Sequence, residues 1–100
     1  MTSDELGARA KELFHRAMTT GFLEPAEISE LVCLVRTLVD DGRPDLAAFA
    51  YGGLRCEMLR QRRWRNTELA LRLRSHERTA LALLRKGWHR RGVGRSHAQA

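Results

Sequence analysis

Apolar residues return along the chain at steps of three and four, the spacing that lines one side of a helix. Leu6, Ala10, Leu13, Phe14, Ala17 and Met18 define a first helix. Ser3 is suited to cap it, Asp4 and Glu5 favour the positive end of its dipole, and Gly21 is suited to stop it. A second helix starts at Glu24-Pro25, where proline's missing amide hydrogen suits a first helical position. Its broad apolar face is Ile28, Leu31, Val32, Val35, Leu38 and Val39, and Asp41-Gly42 ends it. The tight Gly42-Arg43-Pro44-Asp45 link predicts an antiparallel hairpin with a third helix. Leu46, Phe49, Ala50, Leu54, Met58 and Leu59 are the apolar side of that helix. Asn66 or Thr67 caps a fourth, which runs through Leu69, Leu73, Ala80, Leu83 and Leu84 to a stop at Gly87, with Trp88 folding back on its last turn.

The pattern therefore predicts an all-α protein: a four-helix antiparallel bundle or a helical-hairpin array over residues 1–88. From His89 onward the sequence is basic, glycine-rich and without apolar periodicity, which predicts a flexible tail over 89–100. The 100 residues suffice for one core, and the longest apolar run, Leu31 to Val35, is far short of the ~18 residues of a membrane span. The acidic opening Met1-Thr2-Ser3-Asp4-Glu5 lacks the character of a secretion signal, so the expected location is the cytoplasm. Cys33 and Cys56 fall within apolar helical patterns and are expected to be free core thiols. The fold expected here is independent of disulfides.

Charge changes the picture more than composition does. Residues 1–42 carry four basic and eight acidic side chains, and residues 43–100 carry fourteen and four, so a net of +6 conceals halves of −4 and +10. On the first helix Glu5, Arg9, Glu12 and Arg16 alternate in sign and describe a solvated face. On the fourth, Arg74, Arg78 and Arg85 form a stripe expected to lack acidic partners. Arg62-Arg63-Trp64-Arg65 and the run from Lys86 to Arg91 interleave cations with aromatics, as a surface that neutralises phosphates and stacks bases would.

Catalytic chemistry has no constellation to work with. No serine sits in a nucleophile elbow, and Gly52-Gly53 lacks the surroundings of a phosphate loop. Glu24, Glu27 and Glu30 are accounted for by the dipole of the second helix. Cys33, Cys56, His15 and His76 are not at ligand spacing, and His76 is expected at the core edge. The expectation is a protein without catalytic residues, cofactor or metal.

Two glycines in the middle of the third helix cost ~1 kcal/mol each relative to alanine, which close approach of another helix or of a partner would offset. Leu34, Leu38, Phe49, Gly52 and Gly53 are accordingly the candidate lining of a partner groove between the second and third helices.

Leu31, Leu34, Val35 and Leu38, then Gly42, then Ala47, Tyr51 and Leu54 have a spacing that resembles a tetratricopeptide repeat, and Ala10, Phe14 and Ala17 repeat part of it. The resemblance covers about one and a half repeats, over residues 10–54. Leu54 departs from it, being large where the family has a small residue, and so does Leu31, where the family's leading aromatic would stand. The resemblance implies a protein that cradles a segment of another protein, as the small tetratricopeptide-like chaperones of bacterial type III secretion do. The leading expectation is thus a helical interaction module, an adaptor, chaperone or regulatory subunit, alone or in a homo- or hetero-oligomer. The alternative is a nucleic-acid-binding protein that uses Arg62, Arg63, Trp64, Arg65, Arg74, Arg78, Arg85, Arg90 and Arg91.

Overall fold

A computed structural model describes residues 1–19 and 22–91. All regular structure among them is helical: α1 (Ser3–Thr19), α2 (Pro25–Asp40), α3 (Pro44–Arg63) and α4 (Thr67–Arg90). Gly21 and residues 92–100, most of the expected tail, lie outside the described residues.

Local chemistry sets the helix ends. Thr2, one residue earlier than expected, caps α1: its hydroxyl accepts from the Glu5 amide at 3.2 Å, and its own amide donates to Glu5 Oε1 at 3.2 Å. The Ser3 hydroxyl instead donates to Asp41 Oδ2 at 2.9 Å, tying the start of α1 to the end of α2. At the start of α2 the Glu24 amide donates to Glu27 Oε1 at 2.9 Å. Asn66 caps α4 by accepting from the Leu69 amide.

α2 and α3 end in the same backbone motif. After α2 the Arg43 amide bonds the Leu38 carbonyl and the Gly42 amide that of Val39; after α3 the Asn66 amide bonds Gln61 and the Arg65 amide bonds Arg62. The motif needs a left-handed residue, supplied by Gly42 at φ +75° and by Arg65 at φ +60°. Glycine adopts that conformation freely and arginine does not.

α3 is the central helix. It packs on the other three, while α1 and α4 make no contact with each other. Leu13, Leu31, Leu38, Leu54 and Leu73, one or two from each helix, are fully enclosed, and each contributes about 2 kcal/mol by leaving water. The small residues allow close approach. A Cβ on Gly52 would lie 2.8 Å from the Phe14 ring, and one on Gly53 3.2 Å from Leu31 and 3.6 Å from the α1 backbone. Gly87 does not stop α4: it is buried against Val39 and Pro44, and the helix continues through His89 and Arg90, which the sequence placed in the tail.

Several side chains lie elsewhere than the periodicity suggests. Cys33 is exposed and Cys56 only partly buried, because each sits at the edge of its helix's apolar face. Met18, Leu59 and His76 are exposed. The charged face of α1 is not simply solvated, since Arg9 grips Glu30 with two hydrogen bonds of 2.7 and 2.9 Å, and Arg16 bonds Glu27. Glu27 and Glu30 thus cross-link α1 to α2 in addition to favouring the α2 dipole.

Candidate functional site

The expected groove between α2 and α3 is filled by the chain itself. Leu34 and Leu38 are buried core residues, the Phe14 ring lies in the notch left by Gly52, and Gly53 is closed by Leu31 and the α1 backbone. Phe49 is covered by the edge of Phe14, with ring centroids 5.8 Å apart, and by the Lys11 ammonium 5.2 Å from its centroid. The glycines thus serve packing between helices of one chain.

Open surface lies on the two sides of the α3–α4 hairpin. One side is an apolar groove of about 500 Å³ where the start of α2, the end of α3 and the start of α4 converge. Leu23, Ile28, Leu69 and Leu73 make its apolar walls, with Ser29, Asn66, Arg72 and His76 among its polar residues. Phe22 and Trp64 stand over it with their rings in tilted contact, centroids 5.1 Å apart. Phe22 is 64% exposed and Trp64 52%.

Beneath that groove sits a buried carboxylate. Glu57 is 1% exposed, accepts from Gln61 Nε2 at 3.0 Å and pairs with Arg60, which also donates to the Ala17 carbonyl at the end of α1. These partners leave Glu57 no unmet hydrogen-bonding demand.

The opposite side of the hairpin is a cleft of about 540 Å³ lined by Arg55, Arg62, Arg65 and Arg74, with Met58, Ala70 and Leu71 between them. Its inner end is neutralised: Glu77, 7% exposed, accepts from the Tyr51 hydroxyl at 2.7 Å and lies 3.7 Å from Arg55. Burial, reinforced by the hydrogen bond to Glu77, holds the Tyr51 hydroxyl above its ordinary pKa. Glu77 is three residues beyond Arg74, but it turns inward to Tyr51 and Arg55 and does not pair with Arg74. Arg62, Arg65 and Arg74 have no carboxylate within 4.0 Å among the described residues.

The cations singled out in the sequence therefore separate into groups. Arg62, Arg65 and Arg74 converge, and Arg78 continues the cleft by one turn alongside Leu71 and Thr79. Trp64 belongs to the other side of the hairpin, and Arg63 faces a shallow pocket with Met18, Cys56 and Leu59. Arg85 and Arg90 lie together near Asp40 at the far end of α4, while Arg91 stacks over Trp88 and pairs with Asp45.

The periodicity of helix 3 did not single out Glu57, nor that of helix 4 Glu77, although Leu73, Glu77, Ala80 and Leu84 form one continuous stripe. A carboxylate on an otherwise apolar stripe was the available signal. Phe22 carried no signal, because its role depends on a ring 42 residues away.

Among the described residues no three His, Cys, Asp or Glu side chains form a group that could hold a metal ion, and no helix is long and apolar enough to cross a membrane. Comparison of the chain with protein-family models, with curated proteins and with solved structures gives no match.

Proposed function

We propose that this chain is a helical protein-interaction module, an adaptor, chaperone or regulatory subunit of the cytoplasm, that holds a segment of a partner protein in the Phe22–Trp64 groove. The observation that carries this reading is the exposed pair of aromatic rings over an apolar groove. Two rings left this far in water are a standing source of free energy for association, and aromatic anchors beside a polar rim are the usual centre of a protein interface. The tetratricopeptide-like spacing supports the same function, with the cradle moved from the α2–α3 face, which Phe14 fills, to the start of α2 and the α3–α4 turn.

Affinity capture from the native host at about 50 mM and about 200 mM salt, with and without nuclease, tests the reading, because phosphate contacts weaken steeply over that range and apolar ones do not. The expected result is a partner that survives salt and nuclease and is lost by the double variant Phe22→Ser/Trp64→Ser. Recovery that is nuclease-sensitive and unchanged in the variant would overturn it.

Nucleic-acid binding is the second reading, favoured by the convergence of Arg62, Arg65 and Arg74 without carboxylate partners. It fits less well, because Trp64, its base-stacking residue, lies across the hairpin from those arginines.

A further inference from the structure

The arginine cleft lies outside the groove assigned above, and three of its cations, Arg62, Arg65 and Arg74, have no carboxylate partner among the described residues. From its composition we infer that it is a second docking surface, and that its occupant is an acidic amphipathic helix of a partner protein. The inference rests on the interaction-module reading and adds the chemistry of what is bound.

Arg65 provides the first argument. The same turn after α2 places Gly42 in the left-handed position, whereas the turn after α3 places an arginine there, which its Cβ disfavours. The Arg65 guanidinium makes no hydrogen bond or ion pair among the described residues, so the fold draws nothing from the side chain that would offset this strain. An anionic ligand in the cleft does.

The second argument is the floor. Leu71, 59% exposed, lines the cleft together with Met58, Ala70 and the arginines. A phosphate backbone has no use for an exposed leucine, and among the described residues that line the cleft there is no aromatic ring to stack a base. A helix with an apolar stripe and flanking carboxylates uses both components at once.

Spacing provides the third. Arg74 and Arg78 are one turn apart on α4, about 6 Å along the axis, and Arg62 of α3 lines the same cleft as Arg74. Carboxylates at i and i+4 of a helix lying along the hairpin recur at the same interval. Arginine's planar fork suits each of them.

The test is fluorescence anisotropy with the full chain and three labelled probes of matched charge. These are a peptide of about 18 residues with leucines at helical spacing and flanking glutamates, a peptide of the same composition with the leucines scrambled, and a thymidine oligonucleotide. The amphipathic peptide is expected to bind tightest. Arg62→Gln/Arg74→Gln should weaken it by about tenfold or more, and Leu71→Gln should weaken it several-fold without affecting the oligonucleotide. Arg65→Gly separates strain from function: the thermal midpoint should hold or rise while peptide affinity falls.

Tighter binding of the oligonucleotide, with a salt slope flattened by the double arginine variant, would make the cleft a phosphate site and overturn the inference. So would peptide binding that none of the cleft substitutions alters. If only Phe22→Ser/Trp64→Ser abolishes peptide binding, the cleft inference fails and the interaction-module reading stands; if neither set alters binding of any peptide, both fail. Self-association of the wild type that disappears in the double arginine variant would identify a second copy's acidic half as the occupant, again against the inference.

Discussion

Gly52 and Gly53 sit side by side on α3, and their absent side chains meet different neighbours. At Gly52 an added methyl would press on the Phe14 ring, which is itself held by Phe49, so the ring cannot simply swing away. Gly52→Ala should therefore lower stability by about 1 kcal/mol, although alanine is the better helix former by a similar amount. Gly53→Leu should be worse, because leucine beyond the Cβ must displace Leu31 or lift α1 from α3. Thermal melts of both variants check this, and a midpoint above wild type for either would refute the packing argument. The sequence signalled these glycines through their helix-propensity cost, but it could not say that the offsetting neighbour was Phe14. That residue lies 38 positions upstream of Gly52 on another helix, and periodicity describes which face is apolar without saying what meets it.

The joint between α1 and α2 is held largely by charge on its outer side. Glu27 is held below its ordinary pKa chiefly by the hydrogen bond from the Glu24 amide, with Arg16 adding to it, and Glu30 chiefly by its hydrogen bonds from Arg9. A carboxylate depressed in the folded state stabilises that state above its unfolded pKa and ceases to do so as pH falls through the folded one. Stability should thus be constant near neutrality and fall from about pH 5 downward. Arg9→Gln should cost about 1 kcal/mol or less at pH 7, since the pair is partly exposed, and the difference from wild type should shrink as the carboxylates protonate. Chemical denaturation at several pH values measures both; a difference that persists undiminished in acid would show that Arg9 acts through packing. Helix existence and most boundaries were legible from caps and apolar spacing. Gly87 misled, because a glycine near a predicted end has the same sequence signature whether it stops a helix or lets α2 and α3 approach it closely. The charges on α1 misled too, since alternating signs on one helix satisfy one another on paper equally well when their true partners lie on the next.

Across the whole molecule, the all-α class followed from patterning, whereas the sites did not. The cation and aromatic clusters are contiguous in the sequence at Arg62 to Arg65, yet successive helical positions point about 100° apart, and this sends Trp64 to one side of the hairpin and Arg62 to the other. Both candidate surfaces are assembled from different helices. Only three-dimensional packing could bring Phe22 to Trp64, or turn Glu77 toward Tyr51 and Arg55 while leaving Arg74 open.

The central place of α3 makes α1 a separable insert. Its apolar face rests mainly on α3, its charged edge on α2, and none of it on α4. The chain from α2 to Arg91 would retain α3 packed between two neighbours, with an empty furrow of known shape: a notch at Gly52 for a phenylalanine ring, and Glu27 and Glu30 waiting for guanidinium groups. A free peptide of the α1 sequence should therefore reconstitute the fold when added in trans, raising the thermal midpoint in proportion to the logarithm of its concentration. Replacing Phe14 with alanine in that peptide should abolish most of the effect. If the peptide failed to rescue the truncated chain, α1 would be needed for folding rather than merely seated on its product.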